Sequence, residues 1–263
     1  RNLAVGRKVV ILGSGDIGLI MARRLVLEGA EVVCVAEILP QPSGIAGNLV
    51  RCLEDFDIPL YLSTTVVEIH GKERVTGITL AQVGPKMGEV KGTRRYIECD
   101  TLLLSVGLIP ETELTTAVGI DTNPLTTGAI VDDSFRTSIP GIFSCGNVLQ
   151  VHDVVDFATL ESEKAGKAAA QWANTGALPD PTISITAGAG LRYVLPAAIS
   201  GEEAVEFTAR SWKEEHHKSV LFMSGGEVLR RLKMPHMEPA GMIRVRVGQG
   251  RFKKVIDKNI TVE

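Results

Sequence analysis

The stretch KVVILGSGDIGLIMARRLVLEGAEVVCVAE, residues 8–37, packs a strand, a turn, a helix and a second strand into about thirty residues. Residues 8–12 (KVVIL) are a near-continuous apolar run without period-two alternation, which predicts a strand buried on both faces. GSGDIG follows at 13–18. Leu19, Met21, Ala22, Leu25 and Val26 then recur at helical spacing, and Gly29 stands where that helix should stop. Residues 31–36 (EVVCVA) repeat the buried-strand pattern and end at Glu37. The two strands of such a βαβ unit run parallel, with a right-handed crossover.

A Gly-x-Gly-x-x-Gly turn between strand and helix suits a diphosphate. Gly13 permits the tight turn, Gly15 lets the backbone approach the pyrophosphate, and Gly18 lets helix and strand pack closely. The helix start adds free N–H groups and a positive partial charge. Gly13, Ser14, Gly15, Asp16, Ile17 and Gly18 are the expected cradle. Asp16 has two readings here, a helix cap or a ligand contact. Glu37, roughly twenty residues past the last glycine, fits the acid that accepts the ribose hydroxyls of an adenine dinucleotide. Its charge repels a 2′-phosphate, and no Lys or Arg occurs between residues 37 and 48 to bind one, so NADH is expected over NADPH. The plain alternative is a glycine turn without a ligand.

Composition narrows the classes. The 263 residues are 44% hydrophobic and 22% charged, enough for a real core. Lys plus Arg is 28 against 31 acids, a net charge of −3, so no nucleic-acid footprint is expected. No apolar run approaches the ~18 residues of a membrane span, and the start lacks a signal-peptide layout. A soluble, cytoplasmic protein is the expectation. Cys34, Cys52, Cys99 and Cys145 are far apart with no CxxC, which suggests free thiols rather than a zinc site. His216-His217 follow Glu214-Glu215 without spaced partners, so no metal site is expected there.

Beyond Glu37 the pattern predicts a helix over 48–56, β segments at 60–62, 65–69 and 75–83, and a buried strand at 101–106. Residues 108–177 carry expected strands at 129–131 and 141–145 and a helix from Asp156 to about Asn174, with Glu161, Glu163, Lys164 and Lys167 on an exposed face. From 179 onward, alternating segments at 205–209, 220–223, 228–233 and 242–247 suggest a small β-sandwich, with Trp212 and Phe222 as core anchors.

GSGDIG at 13–18, LLLSVGLIPET at 102–112 and GAIVDDSFRTSIPGIFSCGN at 128–147 occur in this order in FAD/NAD-dependent pyridine-nucleotide oxidoreductases. Over residues 1–175 the chain resembles their thioredoxin-reductase-like branch, akin to opine and sarcosine oxidase flavoprotein subunits. The resemblance implies an α/β fold: a Rossmann-like NAD-binding domain (1–107), the C-terminal part of an FAD-binding domain (108–177), and a β-rich C-terminal domain (178–263). It implies FAD and NAD as cofactors, with Gly107 in the family's VGxxP-like turn and Gly146 and Asn147 at the flavin. Where the family has Gly-Asp, this chain has Gly146-Asn147, whose amide oxygen can still accept a hydrogen bond but carries no charge.

Two departures stand out. The family's N-terminal flavin motif is missing, so an N-terminal FAD half is expected outside these residues. The redox-active cysteine pair is missing too, which leaves Cys145 structural and disulfide reduction disfavoured. The expected function is hydride transfer between NADH and FAD, and on to a small-molecule or protein electron acceptor; self-association is left open. The alternatives are a flavin-free NAD-dependent dehydrogenase, with a proton donor in HDVVD (152–156), and a non-catalytic dinucleotide-binding or assembly module. The plainer reading of HDVVD is a solvated loop with Asp153 or Asp156 capping the helix.

Overall fold

The leading strand forms as β1 (Lys8–Leu12), and consecutive side chains enter two different cores. In the computed structural model, which describes residues 5–263 and so leaves the first four residues of the expected NAD domain outside, Val9 and Ile11 pack with Leu19, Ala22 and Leu25 of α1 (Asp16–Leu27). Val10 faces the other way, with Cys34 and Ala36 of β2 (Glu31–Ala36). Burial on both sides explains the unbroken apolar run, each such side chain being worth about 1.5–3 kcal/mol.

After β2 come α2 (Ala46–Cys52), a single 3₁₀ turn (Glu54–Phe56), β3 (Leu60–Tyr61), β4 (Thr64–His70), β5 (Gly77–Gln82), β6 (Arg95–Ile97) and β7 (Thr101–Leu104). The order β3-β2-β1-β7 makes a parallel sheet. The antiparallel sheet β4-β5-β6 supplies Ile78, Leu80 and Ile97 to the core on its second face. β7 lies at the sheet's edge and is half exposed, not buried as its apolar composition suggested; Leu104 is 64% exposed. One compact unit ends at Gly107, and Leu108–Glu263 form the second.

The second unit starts with α3 (Glu113–Ala117) and runs through irregular chain to a 3₁₀ turn (Gly146–Val148) and the long α4 (Val155–Thr175). The strands expected at 129–131 and 141–145 are present only as isolated bridges, Thr122 to Ala129 and Arg136 to Phe143. A side chain closes the turn between them: Asp132 accepts from the amides of Ser134 and Arg136 and from the Arg136 guanidinium. These local bonds compete with a ladder.

Eight strands follow: β8 (Ile183–Ala187), β9 (Leu191–Leu195), β10 (Ala198–Ile199), β11 (Val205–Ser211), β12 (Glu215–Ser224), β13 (Glu227–Met237), β14 (Ile243–Val247) and, after the short helix α5 (Gln249–Phe252), β15 (Asn259–Val262). They form sheets β10-β8-β15-β12-β13 and β14-β11-β9 around one core, in which Phe207, Phe222 and Phe252 pack together. Phe222 is the core anchor expected of it. Trp212 is not: its ring is 52% exposed, beneath the Arg192 guanidinium.

The stretches 108–177 and 178–263 are not separate bodies. Tyr193 and Leu195 of β9 share a cluster with Ile120, Val131 and Leu149, and the Ala197 amide bonds the Val131 carbonyl.

Candidate functional site

The glycine turn is fixed by contacts on its inner side and open on its outer side. The Gly13 amide donates to the Ala36 carbonyl at 2.7 Å, and its φ of +100° is one that only glycine takes without strain. A Cβ at Gly18 would lie 2.7 Å from the Gly13 carbonyl oxygen and 2.8 Å from Ser105 Cβ. At Gly15 the nearest atom would be 3.8 Å away, so its outer face is free for an approaching group. Gly15 is the cap residue of α1 and makes no side-chain cap bond. The amides of Asp16, Ile17 and Gly18 therefore open the helix without intrahelical partners, the arrangement that attracts an anion.

Asp16 does not cap its helix, whose cap residue is Gly15. It is the first residue of α1, and its Oδ1 accepts from the Ile45 amide (3.0 Å) and Asn48 Nδ2 (2.8 Å), tying the start of α2 to the turn. Ser14 is wholly buried, and its amide and hydroxyl both donate to Glu37 Oε2, at 2.9 and 2.6 Å. The Ser43 hydroxyl adds a third donor to that oxygen, at 2.9 Å, while Oε1 accepts from the Leu39 amide alone. Glu37 does lie at the tip of β2, 4% exposed. Burial works to raise its carboxyl, but the bonds from Ser14, Leu39 and Ser43 outweigh that and hold it below 4.5. It is a buried anion wrapped by its own loop. Gly107 has a φ of +99° and open space around it.

In the second unit, Gly146 (φ +72°) and Asn147 open the 3₁₀ turn. Asn147 is exposed, and its Oδ1 accepts from the His152 amide at 3.1 Å, which leaves its NH₂ group and a second lone pair for other partners. The organising residue here is Glu161, which the sequence placed on an exposed face. It is buried, and accepts from the Gly146 amide (2.6 Å), Gln150 Nε2 (2.8 Å) and His152 Nε2 (3.1 Å). Gln150 Oε1 in turn accepts from Thr208 of β11. Asp153 and Asp156 do not cap α4, whose cap residue is Val154. Asp153 instead binds Arg210 (2.5 Å) and the Met242 amide (2.7 Å). What distinguishes Glu161 from its neighbours is its reach from α4 back to Gly146, Gln150 and His152, and helical spacing carries no such signal.

Residues 1–171 match the family described as pyridine nucleotide-disulphide oxidoreductase. The chain belongs to this family. Among curated relatives, the probable ferredoxin reductase CtmF of Castellaniella defragrans is 32% identical over 147 residues, covering 54% of this chain and 33% of the relative. The rubredoxin-NAD(+) reductase of Pseudomonas putida is 30% identical over 156 residues, covering 56% and 36%. The crystal structure of T. acidophilum thioredoxin reductase superposes with a TM-score of 0.56 at 26% identity, covering 64% of this chain and 53% of that one. The chain thus spans between about a third and a half of the length of these relatives. The mixed α/β architecture with its parallel sheet is the fold of the family's reductases.

Proposed function

We propose that this chain carries the NADH-binding segment and a flavin-binding segment of an oxidoreductase that passes hydride from NADH to FAD and electrons onward to a protein acceptor. The observation that carries the reading is the turn at 13–18, tight where it packs and open at Gly15, backed by the ionised carboxylate at the tip of β2. The residues fit a dinucleotide. Free amides at the start of α1 would take the diphosphate, and Glu37 Oε1, with one donor, retains acceptor capacity for a sugar hydroxyl. The negative charge of Glu37 favours NADH, because a 2′-phosphate beside it would be repelled.

Gly146, Asn147 and the start of α4 would face the flavin, with the Asn147 NH₂ group as donor and the helix N-terminus favouring negative charge. Bound there, the cofactors supply the hydride and electron chemistry, while the protein positions and excludes water. The cysteines give no support to a dithiol relay: all four are free, and burial pushes the Cys34 thiol up to about 11. An acceptor of the ferredoxin or rubredoxin kind is supported by the names of the two relatives above.

Calorimetric titration with NADH and with NADPH tests the nucleotide assignment. Gly15→Ala should leave the melting temperature nearly unchanged and weaken NADH binding by roughly tenfold or more, because the added methyl occupies the open side of the turn. Gly18→Ala should instead destabilise the fold by about 1–3 kcal/mol through overpacking. Unaltered NADH affinity in Gly15→Ala, or tighter binding of NADPH than NADH, defeats the proposal.

A further inference from the structure

The hairpin of β12 and β13 turns at Gly225-Gly226, and at its open end two histidines far apart in sequence stand directly opposite each other: His216 pairs with His236 across the ladder. Their rings stack at 4.7 Å, 16° from parallel. Both Nε2 atoms point at one oxygen, Glu214 Oε1, at 3.3 Å from His216 and 2.9 Å from His236. The three ligand-type atoms all lie within 4.8 Å of one another, and all three side chains are exposed. The nearby lysines, Lys213 and Lys218, are drawn to Glu215 instead, at 3.1 and 3.9 Å, and among the described residues no lysine or arginine pairs with Glu214.

We propose that Glu214, His216 and His236 form a binding site for a divalent transition metal of the zinc, nickel or copper(II) class, with water completing the coordination. The donor set decides the class: two imidazole nitrogens exclude magnesium and calcium, which take oxygen ligands, and suit borderline ions. An ion about 2.1 Å from each donor requires the two stacked rings to tilt so that their Nε2 atoms converge, and both side chains are exposed and free of a packed core. The ladder fixes the backbone positions from which both rings project, so little ordering is left to binding. Pro235, which has no N–H, lies opposite His217 (φ +52°), and the ladder resumes at Lys218 and Met234. The ion would staple the end of the hairpin that the tight turn does not hold.

Zinc chloride titrated into the full chain by calorimetry should bind with a stoichiometry of one and raise the melting temperature. Copper(II) in its place should give an electron paramagnetic resonance spectrum with coupling to two imidazole nitrogens. His216→Asn and His236→Asn should each weaken zinc binding on the order of tenfold or more, since even outer-shell partners of a metal carry that much. Glu214→Gln should weaken it less, and the controls His217→Asn and His70→Asn should leave it unchanged. Zinc binding that survives His236→Asn, that is abolished by His217→Asn, or that never saturates below millimolar zinc overturns the site. Because Glu214, His216, His217 and His236 are exposed, their variants should keep the wild-type circular dichroism. The copper spectrum of the unmutated chain decides the matter if one of them does not.

Discussion

Glu37 holds four donors at one buried carboxylate, which makes it a structural centre whatever it offers a nucleotide. An amide can offer its oxygen to only one side of that ring of donors, so Glu37→Gln should cost about 1–3 kcal/mol at neutral pH. Because the folded carboxyl is held below its ordinary 4.5, its stabilisation is complete above about pH 4.5 and is lost as pH falls through the lower native value. Urea unfolding of both proteins should show a gap at pH 7 that closes as the medium becomes strongly acidic. A gap independent of pH would mean that the charge contributes nothing.

Among the elements, β1, α1 and β2 were legible because their signal is local: apolar runs and helical spacing within thirty or so residues report the two cores directly. What was illegible depends on partners distant in sequence. Asp16 holds α2, Asp153 holds Arg210, and Glu161 turns inward to the Gly146 amide; none of these follows from spacing. Short apolar runs at 129–131 and 141–145 resembled strands, and only the side chain of Asp132 shows why they are not. The glycine turn was legible as a strand-to-helix turn, whereas the intrachain bonds of Ser14 to Glu37 and of the Asp16 carboxylate to the start of α2 were not. Glu161→Ala should leave the Gly146 amide, Gln150 and His152 without their acceptor and cost about 3 kcal/mol in thermal or chemical denaturation. A change within a few tenths of wild type would contradict the role given to α4 in shaping the 146–152 loop.

At the scale of the molecule, the β-rich tail is part of the second unit and not an appendage. Arg210 of β11 binds Asp153 and the Val151 carbonyl, Arg244 of β14 lies over the Phe157 ring at 3.8 Å, and Lys164 of α4 pairs with Glu206 at 2.8 Å. Ending the chain at residue 177 would strip Tyr193 and Leu195 from their cluster. Limited proteolysis of that shortened chain should cut rapidly within 108–177 and leave the parallel sheet of β1, β2 and β7 protected. Equal protection of both stretches would show that the tail is dispensable to its neighbours.

The position of β13 on the outside of its sheet has a consequence for behaviour at high concentration. Eleven residues long and paired on one side only among the described residues, it is a template on which an identical strand from another copy could stack without end. Arg230, Arg231, Lys233 and Pro235 stand along it, and repulsion together with a missing N–H discourages that docking. Replacing the three basic residues with valine should convert a clear solution into one that scatters light and binds amyloid dyes, whereas the unmutated chain stays clear.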